Sequence, residues 1–80
     1  MSGDIKEIAQ FEALAETAHD AMYDARPHNV KGLYEDAAVN FQRAIDLAKK
    51  IGLAEETERL IKRRDHVEAV YNHQFRHVGR

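Results

Sequence analysis

Three of the five histidines lie near the carboxyl end of the 80-residue chain, at spacings that could bind a metal ion. His73 and His77 are four residues apart, so on a helix both rings would lie on one face and could share a zinc ion. His66 precedes His73 by seven residues, which is about 10 Å along a helix and too far for one ion. Because no carboxylate is spaced to complete a ligand set, we expect these rings to lie on a solvated face with no metal site.

A second pattern with possible chemistry is Glu16-x-x-His19, the pairing that di-iron helical bundles use. Such sites need a second copy of the pattern and further inward carboxylates, which the chain lacks. Phosphate-binding loops, dinucleotide fingerprints, zinc-protease motifs and nucleophile elbows are also absent from the sequence. We therefore interpret Glu16 and His19 as a chance match, and we expect no catalysis and no cofactor.

Composition narrows the class of protein further. Without cysteine there is neither a disulfide framework nor a thiolate metal site. No secretion signal and no apolar run of membrane-spanning length is present. We expect a single domain spanning residues 1–80, soluble and cytoplasmic, without membrane insertion.

The charges are unevenly distributed along the chain. Residues 1–25 carry six acidic residues against Lys6, whereas residues 62–80 carry five basic residues against Asp65 and Glu68. If both segments belong to helices of one bundle, they are expected to be neighbours that attract each other. The alternative is a basic ligand-binding surface. Nucleic-acid binding is disfavoured, because the net charge is −2 and the two acids interrupt the basic strip.

The pattern of helix formers and breakers predicts three helices, over residues 4–25, 30–51 and 54–78. Strand-like alternation is absent, and glycine and proline total only five. Pro27 disfavours helical geometry in Arg26, so the first break is placed at residues 26–29. Gly52 followed by Leu53 is typical of a left-handed helix cap. Short loops between three amphipathic helices predict an all-α, antiparallel three-helix bundle.

Each predicted helix has an apolar face at helical spacing, and together these faces form the predicted core. The core residues are Phe11, Ala15, Ala18, Met22, Tyr34, Ala37, Phe41, Ala44, Leu60, Val67, Tyr71 and Phe75. Val39 lies almost opposite the buried face of the second helix, and Leu47 lies toward its edge. The two become an interface if a partner covers them.

The segment LYEDAAVNFQRAIDLAKKIG at residues 33–52 carries a resemblance to known families. Gly32, Tyr34, Ala37, Phe41 and Ala44 resemble the second helix of a tetratricopeptide repeat. The match covers about twenty residues and departs from the repeat elsewhere, and a lone repeat lacks the neighbours that such units usually need. The chain also resembles the microtubule-interacting-and-transport domains, three-helix bundles of about this size, which implies binding of a short peptide in a groove between helices.

These observations predict a small adaptor that binds another protein or peptide segment in an interhelical groove. The predicted partner-binding flank combines an apolar centre with hydrogen-bond donors suited to an acidic amphipathic peptide. It consists of Arg63, His66, Val70, His73 and His77. The alternatives are a self-associating structural bundle and, second, a weak nucleic-acid binder. An adaptor is expected to be a monomer or a weak homo-oligomer.

Overall fold

The computed structural model of the protein describes residues 2–75. Its elements in chain order are α1 (Ser2–Met22), α2 (Pro27–Lys50), α3 (Ala54–Val70) and a π-helical turn (Tyr71–Phe75). The described residues contain no strand, and α2 packs against both of its neighbours. The predicted all-α, antiparallel three-helix bundle is therefore confirmed. No helix in the described part of the chain is long and apolar enough to cross a bilayer.

The connection between α1 and α2 lies three residues earlier than predicted. Helix α1 ends at Met22, and the backbone N–H groups of the next three residues donate to carbonyls three positions back, at 3.2, 3.2 and 3.4 Å. Helix α2 then begins at Pro27 itself. Proline suits a first helical position, because its fixed φ is helical and its missing N–H has no partner there. Arg26 is extended, with φ −68° and ψ 149°, as expected before proline.

The predicted cap at Gly52 is confirmed. Gly52 has a φ of +79°, in the left-handed region that favours glycine. Its N–H donates to the carbonyl of Lys49 at 3.1 Å, and the N–H of Leu53 donates to the carbonyl of Ala48 at 2.9 Å. This pair of hydrogen bonds is the Schellman motif, which ends α2 and turns the chain into α3 within three residues.

The third helix is shorter than predicted as a regular α-helix. It runs from Ala54 to Val70 and continues as a π-helical turn to Phe75. The predicted end of the helix at residue 78 lies outside the described residues. A π-turn widens the helix by one residue, so it changes the direction in which Tyr71 and Phe75 project.

The core is built around α2. Phe41 is fully buried, and it belongs to one cluster with Ala37, Ala44, Leu60 and Val67. Of the predicted core residues, the following are buried: Ala15, Ala18, Met22, Ala37, Phe41, Ala44, Leu60 and Val67. The four predicted aromatic members at the edges are half-buried: Phe11, Tyr34, Tyr71 and Phe75. Ile8, Val30, Ile45 and Ala48 are also buried.

Helix α1 has two sides that flank its contact with α2, one facing α3 and one facing away from α3. Helices α1 and α3 both lie against α2 and run parallel to each other, but their backbones approach at few points. Long side chains therefore bridge α1 and α3 across a seam. On the other side of α1, away from α3, the helix forms an open groove with α2.

Candidate functional site

Ion pairs connect α1 and α3 in a regular register. Arg59 donates to both carboxylate oxygens of Glu12, each at 2.7 Å, and also to Glu56. One turn further along, Arg63 donates to Glu16 at 3.1 and 2.8 Å. Both pairs join residues 47 positions apart, as two parallel helices in constant register require. Among the described residues, the acidic first third and a basic segment near the end are therefore neighbours that attract, as expected.

These contacts change the ionisation of the groups involved. The hydrogen bonds from Arg59 lower the pKa of Glu12 below its usual value, against the opposing effect of burial. The same pairing raises the pKa of Arg59, and hydrogen bonding with Glu16 raises the pKa of Arg63. Glu12, Arg59 and Arg63 are therefore charged at neutral pH, and the two ion pairs at this seam hold α1 and α3 together.

An aromatic cluster continues the seam beyond the ion pairs. His19 is only 6% exposed, its Nδ1 lies 3.8 Å from a Glu16 carboxylate oxygen, and its Nε2 has no hydrogen-bond partner. The His19 ring meets His66 edge-on at 6.2 Å and Tyr23 at 5.6 Å between centroids. Tyr23 in turn meets Phe75 at 5.2 Å. In residues 2–75, no group of three or more His, Cys, Asp or Glu side chains is placed to hold a metal ion.

The predicted partner-binding flank lies along this seam. Arg63 faces α1 and is committed to Glu16, so its positive charge is already paired. His66 is exposed beside His19, Val70 is half-buried, and His73 is exposed. His77 lies outside the described residues. The flank is thus partly covered by α1, and binding of an acidic peptide there stays a prediction.

The seam between α2 and α3 is closed by aromatic stacking. The rings of Tyr34 and Tyr71 stack with centroids 4.1 Å apart and planes 6° apart. Burial raises the pKa of the Tyr34 hydroxyl, and the nearby Glu68 carboxylate adds to the effect. Arg64 donates to the Gln42 side chain at 2.8 Å further along. This seam is therefore filled by the protein's own side chains.

The outer side of the α1–α2 pair is open. We call this surface the outer groove. Its two ends are lined by Phe11 and Ala21 from α1 with Leu33 and Leu47 from α2, and by helical spacing Leu14 lies between Phe11 and Ala21 on the same edge of α1. Leu14 is 56% exposed, and its neighbours on the same helix face include the apolar Phe11 and Ala18. The helices are antiparallel, so Phe11 faces α2 near Arg43, whose guanidinium carbon lies 5.9 Å from the ring centroid.

A depression lies at each end of the outer groove. The one near the α1–α2 turn has a volume of about 660 Å³ and includes Ala21, Leu33 and three carboxylates, those of Asp24, Glu35 and Asp36. The one at the opposite end has a volume of about 310 Å³ and includes Phe11 and Leu47. Its charged lining residues balance: Glu7, Asp46, Arg43 and Lys50. The outer groove therefore has apolar residues at both ends and is acidic at the end near the turn.

The sequence indicates some apolar residues outside the core, but it does not indicate that they lie in one groove. Leu47 was placed at the edge of the apolar face of α2, and it is half-buried in the groove. Val39, placed opposite that face, is 48% exposed. Leu14 lies next to the apolar face of α1, three residues after Phe11. Leu14 stays exposed because α3 packs on the other side of α1. Which side α3 covers is decided by the tertiary packing.

Comparison with known proteins identifies no relative. No protein-family model matches the chain, and neither the curated proteins nor the solved structures contain a match. The protein is thus a small all-helical three-helix domain, and its resemblance to the tetratricopeptide and microtubule-interacting families rests on the sequence segment quoted above.

Proposed function

We propose that this protein is a small interaction module that binds a helix of a partner protein in the outer groove. The observation that carries the proposal is the pair of depressions on the outer side of α1 and α2, with the 56% exposed Leu14 between them on the same edge of α1. A large exposed apolar side chain next to depressions that are partly lined by apolar residues is typical of an interaction site.

The spacing on α1 suits a helix as the ligand. Phe11, Leu14 and Ala21 recur on the groove side of α1 at intervals of three and seven residues. This is the seam against which a second helix packs ridges into grooves. Along α1 the groove runs from Glu7 to Ala21, about 21 Å at about 1.5 Å per residue, and the turn at Asp24 and Ala25 extends it, so it accommodates a helix of about 14 to 18 residues.

The other surfaces support this role less well. The flank of α3 has its arginine paired with Glu16, and the seam between α2 and α3 is filled by stacked tyrosines. The resemblance to tetratricopeptide and microtubule-interacting domains supports binding between helices in general. We place the module in the cytoplasm, because its lack of cysteine suits a reducing compartment.

The proposal is tested by comparing two neighbouring surface variants of the full chain. Leu14→Asp places a charge on the groove side of α1. Ala13→Asp places the same charge one residue away, on the exposed face opposite the core. Each variant is used to capture partners from native extract, followed by identification by mass and measurement of affinity. We expect Leu14→Asp to abolish capture of the wild-type partner and Ala13→Asp to retain it.

Two further measurements separate the alternatives. Capture that survives Leu14→Asp but is lost in Val70→Asp would place the site on the α3 flank and overturn the proposal. Sedimentation across a concentration range distinguishes an adaptor, which stays monomeric, from a self-associating bundle. If the chain dimerises and Leu14→Asp abolishes dimerisation, the groove is an interface between copies and the adaptor role is wrong.

A further inference from the structure

We infer that the ligand of the outer groove is a basic amphipathic helix, which binds with its cluster of lysine or arginine side chains at the α1–α2 turn. This inference rests on the proposed function and specifies the chemical class of the partner. It differs from the expectation drawn for the α3 flank, where an acidic peptide was predicted.

The charge of the groove carries the inference. The depression at the turn is lined by the carboxylates of Asp24, Glu35 and Asp36, and no basic residue is among its lining residues. None of the ion pairs found among residues 2–75 involves any of these three carboxylates. All three side chains are exposed. The acids on the α3 side of α1 are thus paired with arginines, whereas the three carboxylates on the groove side are exposed and form none of the ion pairs found in residues 2–75.

The shape of this end of the groove suits long basic side chains. Its apolar lining is short, with Ala21, Ala25 and Leu33, and Gly32 presents open space where a side chain would stand. Lysine and arginine can lay their aliphatic stems on such a surface while the charged group reaches the rim. A ligand helix can thus approach closely here and place its cations among the three carboxylates.

The opposite end of the groove sets the orientation of the ligand. There the charges of Glu7 and Asp46 are balanced by Arg43 and Lys50, and the larger apolar residues Phe11 and Leu47 line the depression. This end has no preference for a cation and offers more apolar surface. A ligand helix with basic residues at one end and large apolar residues at the other therefore matches the groove in one direction.

The test uses the intact chain and three synthetic 18-residue peptides, of which the first two are helices that share the same leucine seam. The first carries lysines at the flanking positions, the second carries glutamates there, and the third carries the lysines of the first in a shuffled sequence without the seam. Affinity is measured by fluorescence anisotropy at low and high salt. We expect only the first peptide to bind tightly, and its affinity to fall as salt screens the exposed charges.

A matched pair of charge variants locates the binding site. Replacing Asp24, Glu35 and Asp36 by their amides removes three charges from the groove. We expect this change to lower the affinity for the lysine peptide about tenfold, as the loss of three exposed ion pairs implies. The control variant removes three exposed charges elsewhere and is expected to leave the affinity unchanged. It carries Glu55→Gln, Glu58→Gln and Glu68→Gln, all at exposed positions of α3.

The outcomes distinguish this inference from the proposed function. If the glutamate peptide binds as well as the lysine peptide and Leu14→Asp abolishes both, the groove binds helices without the charge preference, so the inference fails and the proposed function stands. If the lysine peptide binds equally to the groove variant and its control, or does not bind at all, the inference also fails. If it binds and Leu14→Asp has no effect, the site lies elsewhere and both fail.

Discussion

Phe41 is the side chain on which the packing of all three helices depends most. It is fully buried, lies in the middle of α2, and belongs to the core cluster that joins residues of α1 and α3. Truncation in Phe41→Ala removes buried apolar contacts and leaves a cavity, which costs about 3 to 5 kcal/mol. A domain of this length has a free energy of unfolding of about 4 to 12 kcal/mol. The substitution thus removes a large part of the stability.

The assay is thermal unfolding followed by far-ultraviolet circular dichroism. With an unfolding entropy of about 0.17 kcal/mol per kelvin for a chain of this length, the expected fall in Tm is about 18 to 30 °C. Val39→Ala is the matched control, because it truncates an apolar residue of the same helix that is 48% exposed. It is expected to change stability by less than about 0.5 kcal/mol. A Phe41→Ala protein that melts within a few degrees of the parent would refute the packing described above.

Two further predictions concern a charge and a backbone position. The pKa of Glu12 is lowered in the folded state by Arg59, so its stabilising effect is present above the ordinary value of 4.5 and is lost as pH falls through the folded value. We expect Glu12→Gln to remove this part of the acid dependence, worth about 0.5 to 1 kcal/mol, in urea titrations between pH 3 and 7; identical pH profiles would contradict the pairing. For the backbone, Gly52→Ala forces a side chain into a left-handed position and is expected to cost about 1 to 2 kcal/mol. Gly32→Ala, inside α2 with open space around it, is expected to raise the free energy of unfolding by about 0.5 to 1 kcal/mol in the same denaturation assay. Equal effects of the two changes would contradict the assigned cap at Gly52.

Local chemistry was sufficient to predict the helices and most of their ends. The cap at Gly52 was predictable because a left-handed backbone position excludes most side chains whatever surrounds it. The start of α2 was predicted three residues late, since proline both breaks a preceding helix and begins a following one. Which of the two effects sets the start of α2 depends on where α1 ends. Here α1 ends at Met22, where the hydrogen bonds change to a spacing of three residues.

The sequence predicts electrostatic attraction between α1 and α3, but it does not predict which residues pair. The sequence shows an acidic first third and a basic end, and attraction between them follows from charge alone. That Arg63 is committed to Glu16, and so is not a free donor for a ligand, requires the constant register of two parallel helices. The burial of His19 was missed for the same reason, because its position beside the apolar seam becomes buried only when α3 covers that side.

Amphipathic periodicity by itself determined that three helices bury their apolar faces together, because burying those faces is favourable in any compact arrangement. It did not determine which flank of α1 stays open. A helix with an apolar stripe has two edges, and the sequence does not say which edge a neighbour covers. In this protein α3 lies on the edge that carries Glu12, Glu16 and His19, and Leu14 is left on the other edge, exposed in the outer groove. Only the tertiary structure decided this, because the choice depends on contacts between residues far apart in the chain.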